Sequence, residues 1–455
     1  MSAPRHVTVI GGGISGLACA YRLKELDAPV SLLEASDHVG GLIGTVEKDG
    51  FLFETGPQSF LGTDALLELI GKLGLEGELQ KADPHAPRYI FLHGRLQKVP
   101  ISPPQLLTTS MLSARSRWKI VSEPFRRTKP PDSEETIADF VRRKFGHEIL
   151  EYLVAPFVSG VYAGDPEKLS LRAAFPSLEE WEREYGSILR GAIKSRPAKG
   201  KGHPPLCSFR RGIAALTHAL AEKLGGQIHL GTLVRSVKWS GHGGHEIIVT
   251  HHGHEEARAA GAIVIATPAY AASHFVQSIS PAIAQALSGI VYAPVAVVAA
   301  GYFEKQIRRA IQGFGFLVPR RERVHTLGTV WSSSLFPGRA SEGMASLTSF
   351  VGGATDPEIT EKPDHLIEKI VHKENARIMR IEGAPTLSAV WKHHKALPQY
   401  NLGHGHIVQT IRDAEQELPG LFFSGNYVEG PSLGNCVEQA FKTAEAVRDY
   451  LHASP

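Results

Sequence analysis

Three glycines with the spacing of a phosphate-binding turn stand near the start of the chain. Gly11, Gly13 and Gly16 follow the short apolar run VTVI, and residues 14–26 have the apolar spacing of a helix. Such glycines let the chain turn sharply, let its backbone approach a pyrophosphate and let the helix pack on the strand, while N–H groups at the helix N-terminus bind phosphate. A second apolar run leads to Glu34, which is placed to accept hydrogen bonds from ribose hydroxyls. The spacing therefore predicts a βαβ unit that binds a dinucleotide.

The end of the chain has the same order of strand, glycine-rich turn and helix. GLFFSGN predicts a buried strand, and YVEGPSLGN predicts a turn. NCVEQAFKTAEAVRDYL predicts an amphipathic helix that starts with a capping box of Asn435 and Glu438. The positive end of such a helix favours a ligand that becomes negative, as a reduced flavin does. From these residues alone, a purely structural role for Gly430 and Gly434 stays open.

Helical periodicity dominates residues 83–205, and short strands follow. Apolar residues recur on one helical face in EETIADFVRRKFGHEILEYLV, and Asp132 with Glu135 resembles a capping box at its start. The composition of KSRPAKGKGHPP, residues 194–205, is typical of a mobile loop. GQIHLGTLVRSVKW, EIIVTHH and GAIVIATP then predict strands with hairpin-like spacing. Together these elements predict an α/β fold in which a β-layer and helices are added to the dinucleotide-binding unit.

Charge and hydropathy exclude several classes of protein. The chain has 49 Lys and Arg against 46 Asp and Glu, and its formal net charge of +3 is too small for a nucleic-acid-binding protein. No charged and then apolar leader precedes Val7. The longest apolar run, IVYAPVAVVAAGYF, has only 14 residues and contains Pro294, so it is too short to span a bilayer. We therefore expect a cytoplasmic protein without a membrane-spanning segment.

Cysteine and histidine residues do not predict a metal site. Cys19, Cys207 and Cys436 form no closely spaced pair, which favours a reducing compartment without disulfides or zinc. The histidines of GHGGHEIIVTHHGHEE surround a hairpin that contains no cysteine and has no fixed ligand spacing. We interpret them as solvent-facing and expect no metal.

Further motifs resemble those of known flavoproteins along nearly the whole chain. GGGISGL at Gly11 and EASDHVGG at Glu34 are shared by many flavoproteins. Narrower motifs are GPQSF at Gly56, SGVYAGD at Ser159, LSLRAAFPSL at Leu169, GFGFLVP at Gly313, PQYNLGH at Pro398 and SGNYVEGPSLGNC at Ser424. With these motifs the chain resembles the FAD-dependent amine-oxidase-like flavoproteins, and within them the enzymes that oxidise porphyrinogens. It departs from that pattern at Gln58 and Gly434, where the family often has Asn and Asp.

The resemblance implies a Rossmann-type FAD-binding domain, a β-rich substrate-binding domain and a mostly helical insertion. The FAD-binding domain would comprise residues 1–82, 206–275 and 400–455, the insertion 83–205 and the substrate-binding domain 276–399. Within the insertion, MLSARSRWKIVSEPFRRTKP combines Arg115, Arg117, Lys119, Arg126 and Arg127 with Trp118, Ile120 and Phe125. This mixture is typical of an interfacial membrane contact, although a solvated face is the alternative. The resemblance favours peripheral contact with the inner face of the cell membrane, and a homodimer is a further expectation.

The resemblance also assigns residues to non-covalent FAD and to the substrate. The implied cofactor-binding residues are Gly11, Gly12, Gly13, Ile14, Ser15, Gly16, Glu34, Ala35, Gly41, Leu42, Gly56, Pro57, Gln58, Ser59, Val234, Trp391, Pro431, Ser432 and Leu433. The implied substrate-binding residues are Arg88, Gln58, Leu317 and Phe350, with the backbone carbonyl of Gly160 as the catalytic group. From the residues alone, Leu317 and Phe350 would be core residues, and Arg88, like Arg95, would be a solvated charge.

The implied activity is oxidation of protoporphyrinogen IX to protoporphyrin IX with FAD and O2, in three two-electron cycles that release three H2O2. Apolar walls with an arginine at the mouth suit a macrocycle that carries propionates. No general base is evident, and without a second GxGxxG after a strand no nicotinamide partner is expected. Three alternatives stay open: oxidation of coproporphyrinogen III to coproporphyrin III, an FAD-dependent amine oxidase and, from another class, a lipid-carrying chaperone on a flavin fold.

Overall fold

The computed structural model describes residues 6–100, 103–195, 204–241 and 244–453. Of the loop expected at 194–205, residues 196–203 lie outside this range. The strands of the described residues form five sheets. Strands and helices are numbered below in chain order.

A five-stranded parallel sheet forms the centre of the dinucleotide-binding part. Its strands are β1 (Val7–Ile10), β2 (Val30–Leu33), β10 (Ile228–His229), β14 (Ala262–Ile265) and β20 (Leu421–Phe423). They lie in the order β10-β2-β1-β14-β20. Every residue of β1 and β14 is buried, because a parallel sheet is covered on both faces. The strands predicted around Val7, Val30, Ala262 and Leu421 are confirmed.

Helices cover one face of this sheet, and a second β-layer with further helices covers the other. The first face packs on α1 (Ile14–Glu25), α2 (Asp64–Lys72), α11 (Ala214–Leu224) and α17 (Leu433–Ala453). The second packs on an antiparallel sheet of β11 (Thr232–Gly241), β12 (Gly244–His251) and β13 (His254–Ala260), and on α12 (Ala269–Val276), α13 (Pro281–Ser288) and α16 (His404–Glu417). Of the strands predicted with hairpin-like spacing, TLVRSVKW and EIIVTHH form the β11–β12 hairpin. The prediction is wrong for GQIHL and GAIVIATP, which contribute β10 and β14 to the parallel sheet.

A seven-stranded sheet forms a second centre of the fold. Its strands are β7 (Arg88–Leu92), β8 (Arg95–Lys98), β15 (Tyr292–Phe303), β16 (Gly315–Leu317), β17 (Thr326–Val330), β18 (Met344–Gly352) and β19 (Leu387–Pro398). They lie in the order β19-β15-β18-β17-β16-β7-β8. On β15, Ala296 and Val298 pack on α15 (Asp364–Met379), so the alternate residues Val295 and Val297 point to the opposite face. That opposite face carries Leu317, Phe350 and Trp391.

Shorter elements connect the two centres. A hairpin of β3 (Thr45–Lys48) and β4 (Phe51–Glu54) follows the first βαβ unit. A small sheet comprises β5 (Phe60–Leu61), β6 (Leu79–Lys81) and β9 (Leu206–Phe209). Helix α14 (Ser332–Leu335) lies against β18.

Eight short helices lie between β8 and β9 in the described part of the chain. They are α3 (Pro103–Thr108), α4 (Ala114–Ser122), α5 (Ile137–Lys144), α6 (His147–Ile149), α7 (Ala155–Tyr162), α8 (Leu171–Ala174), α9 (Pro176–Tyr185) and α10 (Ile188–Lys194). A π-helical turn, Leu150–Val154, joins α6 to α7.

Two local predictions for this helical segment are wrong. Thr136 rather than Asp132 caps α5, because the Thr136 hydroxyl accepts a hydrogen bond of 3.0 Å from the Asp139 N–H. Residues 88–98 form strands instead of continuing the helical segment, because β7 pairs in parallel with β16 and its residues from Ile90 to Leu92 are buried. The division of the chain into three domains stays a prediction.

Candidate functional site

The glycine turn lies between β1 and α1, at the carboxyl end of a central strand. Gly11 has a φ of +113°, and a Cβ atom added to it would lie 2.9 Å from the Ala266 carbonyl oxygen. A Cβ atom at Gly16 would collide with the Gly11 carbonyl group. Gly13 differs, because a Cβ atom added to it has no heavy atom within 4 Å. The N-terminus of α1 therefore faces open space at Gly13, and this is the room that a pyrophosphate requires.

Glu34 is held beside the glycine turn by three donors. Its Oε2 atom accepts from the Gly12 N–H at 2.6 Å, and its Oε1 atom accepts from the N–H and the hydroxyl of Ser36 at 2.8 and 2.6 Å. A carboxylate offers about four lone-pair sites, so it can accept a further hydroxyl group such as that of a ribose. The Glu34 carbonyl accepts from the Thr232 N–H at 2.8 Å, which brings the start of β11 and the buried Val234 to this side. Ala35, next to Glu34, is exposed.

The segment from Gly40 to Leu42 runs from the glycine turn to a second turn. The Gly40 N–H donates to the Gly12 carbonyl at 2.8 Å, and a Cβ atom at Gly41 would lie 3.5 Å from the Cα atom of Gly13. Leu42 is exposed, and a Cβ atom added to Gly56 would collide with the Leu42 carbonyl group. The resemblance assigns the glycine turn and the Gly56–Ser59 turn to opposite ends of FAD. Residues 40–42 contact both turns and so join them.

The Gly56–Ser59 turn is closed by its own glutamine. The buried side chain of Gln58 donates from Nε2 to the carbonyls of Glu54 and Gly56 at 3.2 and 3.0 Å. These bonds use both protons of the amide nitrogen. The side chain of Gln58 thus stabilises the turn. A contact of Gln58 with substrate stays a prediction. Pro57 and Ser59 are half-buried beside it.

The C-terminal loop brings a second helix start to the first. Ser432 caps α17, since its hydroxyl accepts from the Asn435 N–H at 3.2 Å, and the capping box predicted for Asn435 is wrong. Asn435 instead donates from Nδ2 to the Glu429 carbonyl at 2.9 Å and so closes the loop. Burial raises the pKa of the Cys436 thiol to about 11, opposed by a hydrogen bond with Ser15 of α1. The half-buried Pro431, Ser432 and Leu433 thus stand next to the glycine turn.

Buried polar atoms without partners surround the carboxyl edge of the parallel sheet. Among the described residues, the hydroxyls of Thr267, Ser424 and Tyr427 and the amide nitrogen of Gln439 are buried and have no hydrogen-bond partner. Thr267 follows β14 and Ser424 follows β20, and the Thr267 methyl group would lie 3.0 Å from a Cβ atom at Gly11. Unpaired buried polar groups are costly, so they mark places where a polar ligand is bound. With the open space at Gly13 and the carboxylate of Glu34, they fit FAD.

Three residues expected at the flavin or the substrate lie in one line across the seven-stranded sheet. Leu317 is opposite Gly328, Gly328 is opposite Phe350, Phe350 is opposite Val297, and Val297 is opposite Trp391. Directly opposed residues point to the same face, and adjacent strands are about 4.8 Å apart. Leu317, Phe350 and Trp391 thus share one face, with about 10 Å between neighbouring members of the line. Each is half-buried, whereas Val297 between them is fully buried.

Gly160 faces this line from α7. A Cβ atom added to Gly160 would lie 2.7 Å from Cδ2 of Leu317, so a larger residue would displace the leucine. Gly160 lies in the last turn of α7, where helical carbonyls have no partner within the helix. The structure therefore brings Gly160 and Leu317 together, as the resemblance implies, and leaves the Gly160 carbonyl available.

Arg88 lies at one edge of the same face. It is opposite Gly315 and two residues from Ile90, which is opposite Leu317, so Arg88 points to the face of Leu317. Arg88 is exposed, and its guanidinium carbon lies 5.5 Å from the centroid of the Phe314 ring. Arg95 is also exposed, on the edge strand β8.

Arg320 was missed by the sequence analysis. It follows Leu317 by three residues and is half-buried, and its side chain has no hydrogen bond or close ion pair with any described residue. Burial lowers the pKa of its guanidinium, and Asp356 and Asp165 oppose that effect. Nothing in the run RRER distinguishes this arginine by sequence. His393 was also missed, because no strand was predicted here; in the structure it lies two residues after Trp391 on β19 and therefore on the same face.

Comparison with known proteins decides the family. The model of the family described as flavin containing amine oxidoreductase matches residues 14–448. The chain belongs to the flavin-containing amine oxidoreductases. Membership of this family confirms the predicted fold class, the FAD cofactor and the assignment to FAD-dependent oxidases. The roles of the individual site residues stay predictions.

Relatives of this flavin-containing amine oxidoreductase match along nearly their whole length. A Nicotiana tabacum protein named protoporphyrinogen oxidase, chloroplastic, is 36% identical over 99% of this chain and 86% of its own. A Bacillus subtilis (strain 168) protein named coproporphyrinogen III oxidase is 29% identical over 98% of each chain. A solved structure from Exiguobacterium sp. 255-15 has the same fold, with a TM-score of 0.83 and 23% identity over 98% of this chain and 99% of its own.

Within the described residues, no helix is both long and apolar enough to cross a membrane.

Proposed function

We propose that this chain oxidises protoporphyrinogen IX to protoporphyrin IX, a step of haem biosynthesis, with FAD as cofactor and O2 as acceptor. The observation that carries the proposal is the similarity, along nearly the whole chain, to plant relatives named protoporphyrinogen oxidase. Three oxidations remove six electrons and six protons from the macrocycle and reduce three O2 to three H2O2. Bound FAD accepts the two electrons of each oxidation and supplies them to O2.

The face with Leu317 and Phe350 supports binding of a broad apolar macrocycle. Both side chains are half-buried in a sheet whose other residues along the same line, Ile90 and Val297, are buried. Sites for ligands of this kind have mostly apolar walls and few polar groups. We place the macrocycle against Leu317 and Phe350, with the flavin towards Trp391, which touches Phe53 next to the Gly56 turn.

An arginine at the edge of this face supports recognition of propionates. A guanidinium group binds a carboxylate through two parallel hydrogen bonds. We assign Arg88 to one propionate, because it shares the face of Leu317. Arg320, three residues after Leu317, is the candidate for a second, because its half-buried side chain has no hydrogen-bonding partner among the described residues.

The end of α7 supports catalysis by electrostatics. As electrons leave the macrocycle, positive charge develops on a pyrrole, and the negative end of a helix dipole stabilises such a charge. The Gly160 carbonyl belongs to that helix end, and the Cα atom of Gly160 faces Leu317. No side chain is then required as a general base.

The cofactor is proposed to bind without a covalent bond. Each of the three cysteines is buried, and both Cys19 on α1 and Cys436, which has a hydrogen bond with Ser15, have a raised pKa. A thiol is reactive as its thiolate, so this environment makes Cys436 a poor attachment point. Acid precipitation of the holoprotein should release all the flavin into the supernatant. Flavin that remained with the pellet would contradict non-covalent binding.

Anaerobic mixing of the holoenzyme with protoporphyrinogen IX tests the proposed reaction. The flavin absorbance should bleach, and O2 should restore it while fluorescent protoporphyrin accumulates with three H2O2 for each porphyrin. A ratio of one would show that an intermediate leaves the site. A flavin that stayed oxidised with porphyrinogens but bleached with an amine would replace the proposal by amine oxidation.

Coproporphyrinogen III is the second candidate substrate, favoured by the full-length similarity to the Bacillus subtilis relative named for it. Its additional propionates require more cationic groups than Arg88 and Arg320 alone supply. Measuring kcat/KM for both porphyrinogens decides between them, because a tenfold difference corresponds to about 1.4 kcal/mol of transition-state preference. We expect protoporphyrinogen IX to be preferred, and a preference for coproporphyrinogen III would reverse the assignment.

Peripheral membrane contact is proposed for the surface around α4. Trp118 and Phe125 are 69% and 80% exposed, and Arg115, Arg126 and Arg127 are exposed near them. The prediction that Ile120 contributes to this surface is wrong, because Ile120 packs against the buried core of the helical segment.

Co-sedimentation with phosphatidylglycerol vesicles tests this contact. The double variant Trp118→Ser, Phe125→Ser should lose binding, and Trp239→Ser, which removes a tryptophan that is 49% exposed on β11, should not. Equal binding of all three proteins would contradict the contact. Sedimentation equilibrium of the same protein tests the expected homodimer.

A further inference from the structure

Strand β19 lies along the segment that leads into the Gly56 turn. Trp391 and His393 are two residues apart on one face of β19, and they contact Phe53 and Thr55, which are also two residues apart. The ring centroids of Trp391 and Phe53 are 6.4 Å apart. The Nε2 atom of His393 lies 2.7 Å from the Thr55 carbonyl oxygen. This second contact is a direct hydrogen bond between the seven-stranded sheet and the backbone next to the turn.

The hydrogen bond defines where the His393 proton is. A carbonyl oxygen only accepts hydrogen bonds, so Nε2 carries the proton and donates it to Thr55. The Thr55 N–H donates in turn to the Gly44 carbonyl at 2.8 Å, which fixes both backbone groups of Thr55. Gly56 follows directly and lies against the Leu42 carbonyl so closely that no Cβ atom fits. Thr55 and Gly56 are therefore held from three sides, by Gly44, Leu42 and His393.

The other side of the same turn is held by a buried ion pair. Glu54 lies 3.1 Å from Arg339, which precedes β18 of the seven-stranded sheet, and both side chains are almost completely buried. Glu54 also accepts from the Ile213 N–H at 3.0 Å. Residues 54 and 55 are thus each fixed by one side chain from the part of the chain that forms the seven-stranded sheet.

We propose that His393 is a positioning residue of the flavin site. It fixes the Thr55 carbonyl, and through it the Gly56–Ser59 turn on which the flavin end of FAD is proposed to lie. The bond also sets the separation between this turn and Trp391, which belongs to the same strand as His393. This role deepens the proposed function and rests on its placement of the flavin.

Two substitutions at His393 and one at its neighbour test the role. His393→Gln retains an amide nitrogen that donates to the Thr55 carbonyl, whereas His393→Leu removes the donor. His394→Gln is the matched control, because His394 is exposed on the opposite face of β19 and lies 3.4 Å from Glu361. Removing one such hydrogen bond should raise the Kd of the deflavinated protein for FAD about tenfold in His393→Leu, but only about twofold or less in His393→Gln.

The measurements are the Kd for FAD, the visible spectrum of the bound flavin and the melting temperature of the deflavinated protein. We expect His393→Leu to shift the flavin bands, and His394→Gln to match the unmodified protein in all three. An unchanged Kd and spectrum in His393→Leu would overturn the proposal. A His393→Gln protein as weak as His393→Leu would also overturn it, because the donated bond would then not be what His393 supplies.

A lower melting temperature with unchanged flavin affinity would assign His393 to stability alone and overturn the positioning role. None of these measurements uses a porphyrinogen. Failure of the proposed function would appear separately, as an unmodified protein with bound FAD that oxidises no porphyrinogen.

Discussion

Replacing Gly13 by valine should abolish FAD binding and leave the protein folded. A Cβ atom at Gly13 meets no heavy atom within 4 Å, so the larger side chain enters open space instead of the protein. That space adjoins the N-terminus of α1, whose N–H groups are available to a pyrophosphate. Gly13 has a φ of −73°, which valine adopts without backbone strain.

The loss of affinity follows from the bonds that the side chain blocks. A hydrogen bond to a charged group contributes about 1.5–3 kcal/mol, so losing two bonds to the pyrophosphate costs at least about 3 kcal/mol. Since about 1.4 kcal/mol corresponds to a factor of ten, the Kd for FAD should rise more than a hundredfold. Titration of the deflavinated protein with FAD, followed by flavin fluorescence, measures this Kd, and the melting temperature reports the fold.

Two other glycines provide the controls. Gly405→Val adds a side chain at another position with no heavy atom within 4 Å and should leave the Kd unchanged. Gly16→Ala would collide with the Gly11 carbonyl and should lower the melting temperature itself. Normal FAD affinity in Gly13→Val would refute the assignment of this space to the pyrophosphate. A loss of folding like that of Gly16→Ala would refute the claim that the space is open.

Four further substitutions test the substrate face and the helical segment. Arg88→Ala and Arg320→Ala should each raise KM about tenfold, the effect of losing one charged hydrogen bond, with normal FAD content. Arg95→Ala is their control, and an unchanged KM would return either arginine to the role of a surface charge. Gly160→Ala should displace Leu317 and lower kcat/KM with FAD retained. Adding Leu317→Val to this variant should restore part of the activity, and normal activity of Gly160→Ala alone would exclude the contact. Burial alone would raise the pKa of Glu182, but hydrogen bonds from Arg143 and Thr128 and the charge of Lys144 bring the pKa down to about 2, below its ordinary 4.5. Its carboxylate therefore stabilises the fold fully above about pH 4.5 and loses this effect as the pH falls towards about 2, so Glu182→Gln should flatten the free energy of unfolding over that range in urea titrations.

The adenosine half of the cofactor site could be predicted from sequence because its geometry is local. Gly11, Gly16 and Glu34 belong to one βαβ unit, and the requirement for glycine at each turn position comes from backbone atoms within the same unit or an adjacent strand. Local patterns also predicted β1, β2, β14 and β20 of the parallel sheet, and β11 and β12 of the antiparallel sheet that covers it. The starts of two helices were predicted less accurately. Several residues near each start can act as the cap, and Thr136 and Ser432 do so instead of the predicted Asp132 and Asn435. Which residue caps a helix depends on how the flanking chain packs.

The substrate half could not be derived from periodicity, because it depends on pairing between distant strands. Helical periodicity assigns residues 88–98 to the helical segment, whereas β7 pairs with β16, more than 200 positions later in the chain. Leu317 and Phe350 were named only through the resemblance to a family. Arg320 and His393 carry no sequence signal of their own, since the run RRER and a histidine-rich strand are both typical of exposed surfaces.

The register of the seven-stranded sheet explains how such distant residues form one site. Leu317, Phe350 and Trp391 come from β16, β18 and β19, yet pairings through Gly328 and Val297 align them on one face. A shift of one residue in any of these pairings would turn a wall residue to the face that packs on α15. The same strand that carries Trp391 holds the Thr55 carbonyl through His393, so the sheet proposed to support the macrocycle also fixes the turn on which the flavin is proposed to lie. In this proposal one rigid element positions both substrate and cofactor, which is what transfer of electrons between them requires.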